Sequence, residues 1–311
     1  MRSLPKIDVM EEKAMTSQPF HAPVMNREVL EYLNLRPGQC VVDCTLGLGG
    51  HALGIAEKIG SEGCLIGIDR DNESLQMAKE ALKAFPGISH FVYDDFRHFD
   101  EILKRLGIAE IDGILFDLGI SSFQLENPER GFGIKTDGPL DMRMDQHSYI
   151  SAYDLVNSLS ENEISSILRN FGEERWHKRI ARRLVQEREK KPFESTQELS
   201  QAVLRAMPYR SKERIHPATR TFQAFRIAVN RELEALDAVL TKCIAYLRKG
   251  GRICVISFHS LEDRIVKNKF RDFSKAGQLK LIFKKPLRPN EEEILNNSRS
   301  RSARLRAAER I

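Results

Sequence analysis

From residue 40 onward the chain alternates two kinds of segment. Cys40–Asp43, Cys64–Ile68, Ser89–Tyr93 and Ile111–Phe116 are short runs dominated by apolar residues, while Gly50–Ile59, Glu73–Phe85 and Phe99–Leu106 carry apolar residues at helical spacing. A further helix is predicted before them, from Asn26 to Asn34, where Val29, Leu30 and Leu33 share a face and Pro37-Gly38 stops the pattern. Strands without polar alternation are buried on both faces, and helices between them make the sheet parallel. The predicted class is α/β, a doubly wound, Rossmann-like domain.

After Gly119 the alternation stops. Ser121 to Gln146 is rich in Gly, Pro and Asp with neither period, long enough to be functional or disordered. Helical patterns then run from Ser151 to about Arg214, which predicts an inserted all-α domain. Within it Trp176, Ile180 and Leu184 form one stripe, and Arg175, Lys178, Arg179 and Arg182 cluster on the other side. One long helix is predicted through Phe225, Val229, Leu233, Leu236 and Leu240, followed by Lys249-Gly250-Gly251 and a strand from Arg252 to Ile256. The Arg/Ser-rich segment from Ser298 to Arg306 has the composition of a solvated end. The expected division is a mobile leader over 1–17, a sheet-bearing part over 18–125, the helical insert over 126–215 and the remainder of the sheet-bearing part over 216–311.

A formal charge of +5 says little, but basic residues outnumber acidic ones from Arg175 to Lys191 and from Lys267 to Arg310, a distribution suited to a polyanion. The five cysteines form no CxxC pair and mostly sit in apolar runs, so neither disulfides nor zinc are expected. The eight histidines show no metal-ligand spacing either. No run approaches the roughly 18 apolar residues of a membrane span. Met1 to Met15 has no signal-peptide core, so a cytoplasmic protein without a membrane partner is expected.

The first strand runs into Asp43-Cys44-Thr45-Leu46-Gly47-Leu48-Gly49-Gly50-His51-Ala52. This is a G-x-G-x-x-A turn between strand and helix, where backbone and helix N-terminus approach a ligand closely. Asp69 ends the next strand, twenty residues past Gly49, where a carboxylate can take ribose hydroxyls. Together they point to an adenosine-containing cofactor. Asp43, four residues before Gly47, would repel a pyrophosphate and suits the cationic amino-acid end of S-adenosylmethionine, which favours that donor over a dinucleotide. The third strand ends at Asp94-Asp95-Phe96, where an acid can accept from the adenine amine and the ring can cover its face. Equally, Phe96 can be core and Asp94 a helix cap.

The fourth strand ends at Asp117, and ligands of open α/β sheets bind beyond such ends. Methyl transfer from a sulfonium rests chiefly on positioning. An amine acceptor is helped by a group that orients its N–H and receives the proton, the role for which Asp117 is the candidate catalytic residue. Capping the next turn or touching the cofactor are the alternatives for the same carboxylate. No Pro-Cys follows a strand, which removes carbon methylation of a pyrimidine through a cysteine, and the Asp/Asn-Pro-Pro-aromatic motif is absent. His259, Ser260 and Asp263 lack a nucleophile elbow, which removes hydrolase chemistry.

With these residues placed, the chain resembles the ribosomal RNA small-subunit methyltransferase H family, also called MraW, from His21 almost to the C-terminus. The resemblance is carried by Gly47-Leu-Gly-Gly-His51, Asp69-Arg-Asp71, Asp117-Leu-Gly-Ile-Ser-Ser122, Glu129-Arg-Gly-Phe132, Asp137-Gly-Pro-Leu-Asp-Met-Arg-Met-Asp145, Gly172-Glu-Glu-Arg175, His216-Pro-Ala-Thr-Arg-Thr-Phe-Gln-Ala224 and Ile256-Ser-Phe-His-Ser-Leu-Glu-Asp-Arg264. It implies a Rossmann-like S-adenosylmethionine-dependent methyltransferase fold with an inserted all-α domain. The implied reaction is N4-methylation of a cytidine in the decoding centre of 16S rRNA, the implied partner, within the 30S subunit. Donor contacts implied by motif are Gly49, Gly50, His51, Asp69, Phe96, Asp117 and Gln124. Where the family usually has Ser-Ser-Pro-Gln-Leu, this chain reads Ser121-Ser122-Phe123-Gln124-Leu125, a change that loosens the backbone before Gln124. The sequence is silent on oligomeric state and on free RNA against the assembled subunit.

Overall fold

The computed structural model describes residues 23–208 and 215–311. The expected leader over 1–17 and the stretch 209–214 of the predicted insert lie outside the described residues. Helix α1 (Asn26–Leu33) leads into β1 (Cys40–Asp43), α2 (Gly50–Ile59), β2 (Cys64–Asp69), α3 (Asn72–Ala81), β3 (Ile88–Tyr93), α4 (Phe99–Arg105) and β4 (Ile111–Asp117), close to the pattern read from hydrophobicity. A short helix α5 (Ser122–Glu126) opens the irregular stretch. Five helices follow: α6 (Ala152–Ser158), α7 (Glu161–Gly172), α8 (His177–Arg188), α9 (Thr196–Ala206) and α10 (Thr219–Asn230). Then come α11 (Glu232–Lys242), β5 (Leu247–Ser257), α12 (Ser260–Lys275), β6 (Leu279–Leu281), α13 (Glu291–Asn296) and β7 (Arg304–Arg310).

The sheet has seven strands in the order β3-β2-β1-β4-β5-β7-β6. β1 to β5 are parallel, while β7 runs antiparallel to both β5 and β6. Successive residues of each strand face opposite sides, as the pleat requires. Val42, Ile66, Ile114 and Val255 meet α4, α11 and α12 in one core. Val41, Leu65, Leu115 and Ile256 meet α1, α2 and α3 in the other. The chain therefore has the doubly wound, Rossmann-like α/β architecture.

A third core belongs to the helical insert, where Ile164, Leu168, Ile180, Leu184, Leu199 and Val203 are fully buried. Three of its helices start at Ser-x-x-acid capping boxes, Ser151 with Asp154, Ser160 with Glu163 and Ser195 with Glu198, each reciprocally bonded. Phe222, Ala224 and Phe225 also lie in this core, so α10, placed by the sequence reading in the part from 216 onward, packs with the insert. The long helix expected through Phe225 and Leu240 is in fact two. Arg231 takes a left-handed conformation (φ 50°) that ends α10 and starts α11, and this break sends Phe225 into the insert core and Leu236 and Leu240 into the sheet core.

The Ser298–Arg306 segment departs most from expectation. It is a 3-10 turn (Ser298–Ser302) leading into a strand inside the sheet, with Leu305 and Ala308 inaccessible to water. Its arginines are accommodated by pairing. Asp263 of α12 accepts from Arg306 Nε at 2.7 Å and from Arg304 Nη1 at 3.2 Å. No helix among the described residues is long and apolar enough to cross a membrane.

Candidate cofactor and catalytic site

α2 and α4 lie on opposite faces of the sheet, so β1 and β4, adjacent but wound to different sides, open a crevice at their carboxyl ends. The loop after β1 is stitched into place across it. Cys44 N donates to Leu115 O at 2.9 Å and Leu46 N to Ile68 O at 3.0 Å. Gly47 N donates to Asp69 Oδ2 at 2.7 Å, and Thr45 Oγ1 accepts from Asp117 N at 2.6 Å. Gly47 (φ 52°) and Gly49 (φ 85°) supply the left-handed conformations of this turn. At Gly49 a Cβ would also stand 3.4 Å from that of Ala78 on α3.

One cavity fills the crevice. Gly50, His51, Asp69, Phe96, Asp117 and Gln124 all line it; Gly49 shapes its turn from one residue behind the wall. Asp43, expected to face a ligand, is buried beneath the cavity and accepts from Thr45 N at 3.1 Å. Burial pushes its carboxyl up to about 6, opposed by His51 and by the Thr45 amide and aided by the charges of Asp117 and Asp69. Asp69 is likewise pushed up to about 6 by burial, against the backbone amides of Asp71 and Gly47 that it accepts. The carboxylates of Asp69 and Asp117 thus line the cavity from β2 and β4, and that of Asp43 on β1, buried outside its wall, acts on them only through its charge.

Asp117 Oδ2 lies 3.5 Å from His51 Nε2, and His51 Nδ1 is 3.2 Å from Asn26 Oδ1. Asp117 Oδ1 and His51 Nε2 are buried with no hydrogen-bond partner, the condition of polar atoms shaped for a bound group. Phe96 plays both parts left open by the sequence: it stands edge-on to Phe116 at 5.7 Å, against the sheet core, and also lines the cavity. Asp94, beside it in the wall, accepts from the Asp95 amide and meets His98 Nδ1 at 2.7 Å. Gln124 is firmly held although Phe123 replaces a proline. Its Oε1 accepts from Ser121 N, Ser121 Oγ accepts from Gln124 N, and its Nε2 donates to Asp71 Oδ2 at 2.7 Å.

A family model for the MraW methylases matches residues 18–311. The chain belongs to the MraW methylase family. It is 48% identical over 306 residues to the ribosomal RNA small subunit methyltransferase H of Caldicellulosiruptor saccharolyticus, covering 94% of this chain and 99% of that protein. The enzyme of that name from Clostridioides difficile is 44% identical over 309 residues, with 94% and 99% covered. Among solved structures, an rRNA methylase from Streptococcus thermophilus covers 96% of this chain and 99% of its own at 12% identity and a TM-score of 0.42, too loose a likeness to bear on the assignment.

Several residues that line or brace this cavity carry no signal in the sequence pattern. Arg130 is fully buried, donating to Asp71 Oδ2 at 2.8 Å and to the carbonyl oxygens of Arg143 and Met144. Asp71 caps α3 and so joins that helix to Gln124 and Arg130, which ties the irregular stretch to the sheet. An acid directly before a helix is a readable capping signal; its distant partners are not. Glu232, Phe258 and Glu262 line the cavity beyond β4 and β5, and Arg299 enters it from the turn before β7.

Glu232, His259 and Glu262 bring ligand-type atoms within 4.8 Å of one another, a grouping that sequence spacing did not show. The carboxylates are already engaged. Glu232 takes both forks of Arg226 at 2.9 Å, and Glu262 Oε2 accepts from the amides of Phe258 and His259. His259 Nδ1 accepts from Glu262 N, and its Nε2 stands 3.1 Å from Glu262 Oε1 without forming a hydrogen bond. Burial raises the Glu262 pKa, but His259 and Arg226 hold it below the usual range, so the group is a charge network facing the cavity.

Proposed function

We propose that this chain methylates N4 of a cytidine in the decoding centre of 16S rRNA, with S-adenosylmethionine as donor and the 30S subunit as the setting, hence in the cytoplasm. The observation that carries the reading is the convergence of Asp69, Phe96 and Asp117 on one cavity at the β1–β4 crevice, in a chain 44–48% identical to proteins named ribosomal RNA small subunit methyltransferase H. The cavity suits such a donor: it joins a glycine turn, a carboxylate, an aromatic wall and two unpartnered buried polar atoms.

S-adenosylmethionine supplies a methyl group already activated on sulfur. Asp69, rigidly held between the amides of Gly47 and Asp71, presents its remaining lone pairs to the ribose hydroxyls. Phe96 covers the adenine. Asp117 Oδ1, buried without a hydrogen-bond partner, orients the cytosine amine and takes its proton, a contribution of about 10²- to 10⁴-fold for a positioned general base. Phe258 and Leu236 line the cavity and keep water from that exchange. On the insert, Arg175, Lys178, Arg179 and Arg182 are exposed, as the stripe predicted, and meet RNA phosphates.

The test is methylation in vitro of 30S subunits and of free 16S rRNA, with mass spectrometry of the modified fragment. N4-methylcytidine at one decoding-centre position, lost with Asp117→Ala while S-adenosylhomocysteine still binds, is the expected result. Modification elsewhere, or an unimpaired Asp117→Ala, would overturn the assignment or the role of Asp117 respectively.

A further inference from the structure

Arg299 has no role in the chemistry above, yet its guanidinium reaches from the turn before β7 across the end of β4. It donates to the carbonyl oxygen of Ile120 and to Ser122 Oγ, and it lines the cavity. Burial lowers its pKa, with the charges of Asp117 and Glu126 acting the other way. The two side-chain hydrogen bonds that Arg299 makes are to neutral oxygens. A partly buried guanidinium whose hydrogen bonds reach only neutral oxygens suits an anion brought to it, and with five donors it has several left to give.

The order of the strands says which anion. Asp69, Asp94 and Phe96 stand at the ends of β2 and β3, on one side of β1, where the proposed function puts the adenosine. Asp117 and Arg299 stand on the other side, at the end of β4, with the first turn of α2 between. A donor whose adenosine lies over β2 and β3 directs its amino-acid end toward β4, where an acid and an arginine adjoin. The other anion in the reaction is the RNA backbone, which a base extruded alone into a pocket leaves outside, whereas Arg299, only partly exposed, is tied to the Ile120 carbonyl and Ser122 Oγ at the cavity wall.

We propose that Arg299 anchors the α-carboxylate of S-adenosylmethionine, fixing the amino-acid end so that the methyl group is held beside Asp117. The inference rests on the reading of this cavity as the donor site. It assigns a ligand contact to a residue in the segment whose composition suggested a solvated end.

Calorimetric titration with S-adenosylmethionine and with decarboxylated S-adenosylmethionine, on the full chain and its Arg299→Gln variant, tests it. Wild-type protein should lose about tenfold or more in affinity when the carboxylate is removed from the ligand, the scale of one charge-assisted bond. Arg299→Gln should lose as much for the intact donor while binding the decarboxylated one within about threefold of wild type. Arg299→Lys, which keeps the charge, should fall between and serves if the Gln variant melts early. Equal losses for both ligands in Arg299→Gln would overturn the proposal, as would an unchanged affinity for the intact donor. Failure of wild-type protein to bind either ligand would instead sink the donor-site reading itself.

Discussion

Replacing Asp69 by Asn removes a charge and turns one of two acceptors into a donor. Both oxygens are in use: Oδ2 takes the Gly47 amide at 2.7 Å and Oδ1 the Asp71 amide at 2.8 Å. An amide can accept at only one, so an N–H must face an N–H, at a cost of about 1–3 kcal/mol. Acting against this is the burial that pushes the Asp69 carboxyl up to about 6, a penalty on its charged form of up to roughly 3 kcal/mol that Asn does not carry. The two effects nearly cancel in stability, so the melting temperature should move by only a few degrees. They do not cancel in binding. The ribose loses a charged acceptor, worth about 1.5–3 kcal/mol, or roughly 10- to 150-fold in affinity. Calorimetry with S-adenosylhomocysteine at pH 8, beside a thermal melt, separates the two. An affinity within twofold of wild type would show that Asp69 neither shapes the turn for the ligand nor faces it.

The raised Asp69 carboxyl also sets a pH dependence: a ligand that needs it ionised must displace a proton below pH 6, so S-adenosylhomocysteine affinity should fall about tenfold by pH 5 and the fall should vanish in Asp69→Asn. A flat profile in wild type would refute it. For stability the sign is opposite. Asp43 and Asp69, raised from 3.8 to about 6, bind protons more tightly folded than unfolded, so their contribution is fully favourable below pH 4 and is lost as pH rises through 6. On the insert, Arg179→Glu with Arg182→Glu should weaken RNA binding at least about tenfold and flatten its salt dependence by about two phosphate contacts, leaving donor affinity alone; an unchanged salt slope would make the stripe ordinary surface.

The first four strands and their helices were legible because strands buried on both faces, such as Cys64–Asp69, leave unbroken apolar runs bounded by glycine or acid. The Asp69 and Asp117 positions followed, since strand ends are where such sheets bind ligands. β7 was not legible: Arg304, Arg306, Glu309 and Arg310 disguise a buried strand, and the partner that makes Arg306 tolerable is Asp263, on another element. Helical spacing runs unbroken from Phe225 to Leu240, so nothing local announced the turn at Arg231. Gln124, Asp71 and Arg130 illustrate the same limit. Each residue was quoted in a motif, but their mutual bonds span more than 50 positions and exist only in three dimensions.

Strand β7 follows every other described element along the chain yet occupies an interior place, and β6 joins the sheet only through it. While a ribosome still holds residues 304–310, the long strand beside them presents an open row of amides and carbonyls, and Asp263 waits for both its arginines. A chain lacking residues 304–310 would therefore keep nearly all its other elements, yet lose β7 and β6 from the sheet and carry an adhesive edge in the middle of the molecule.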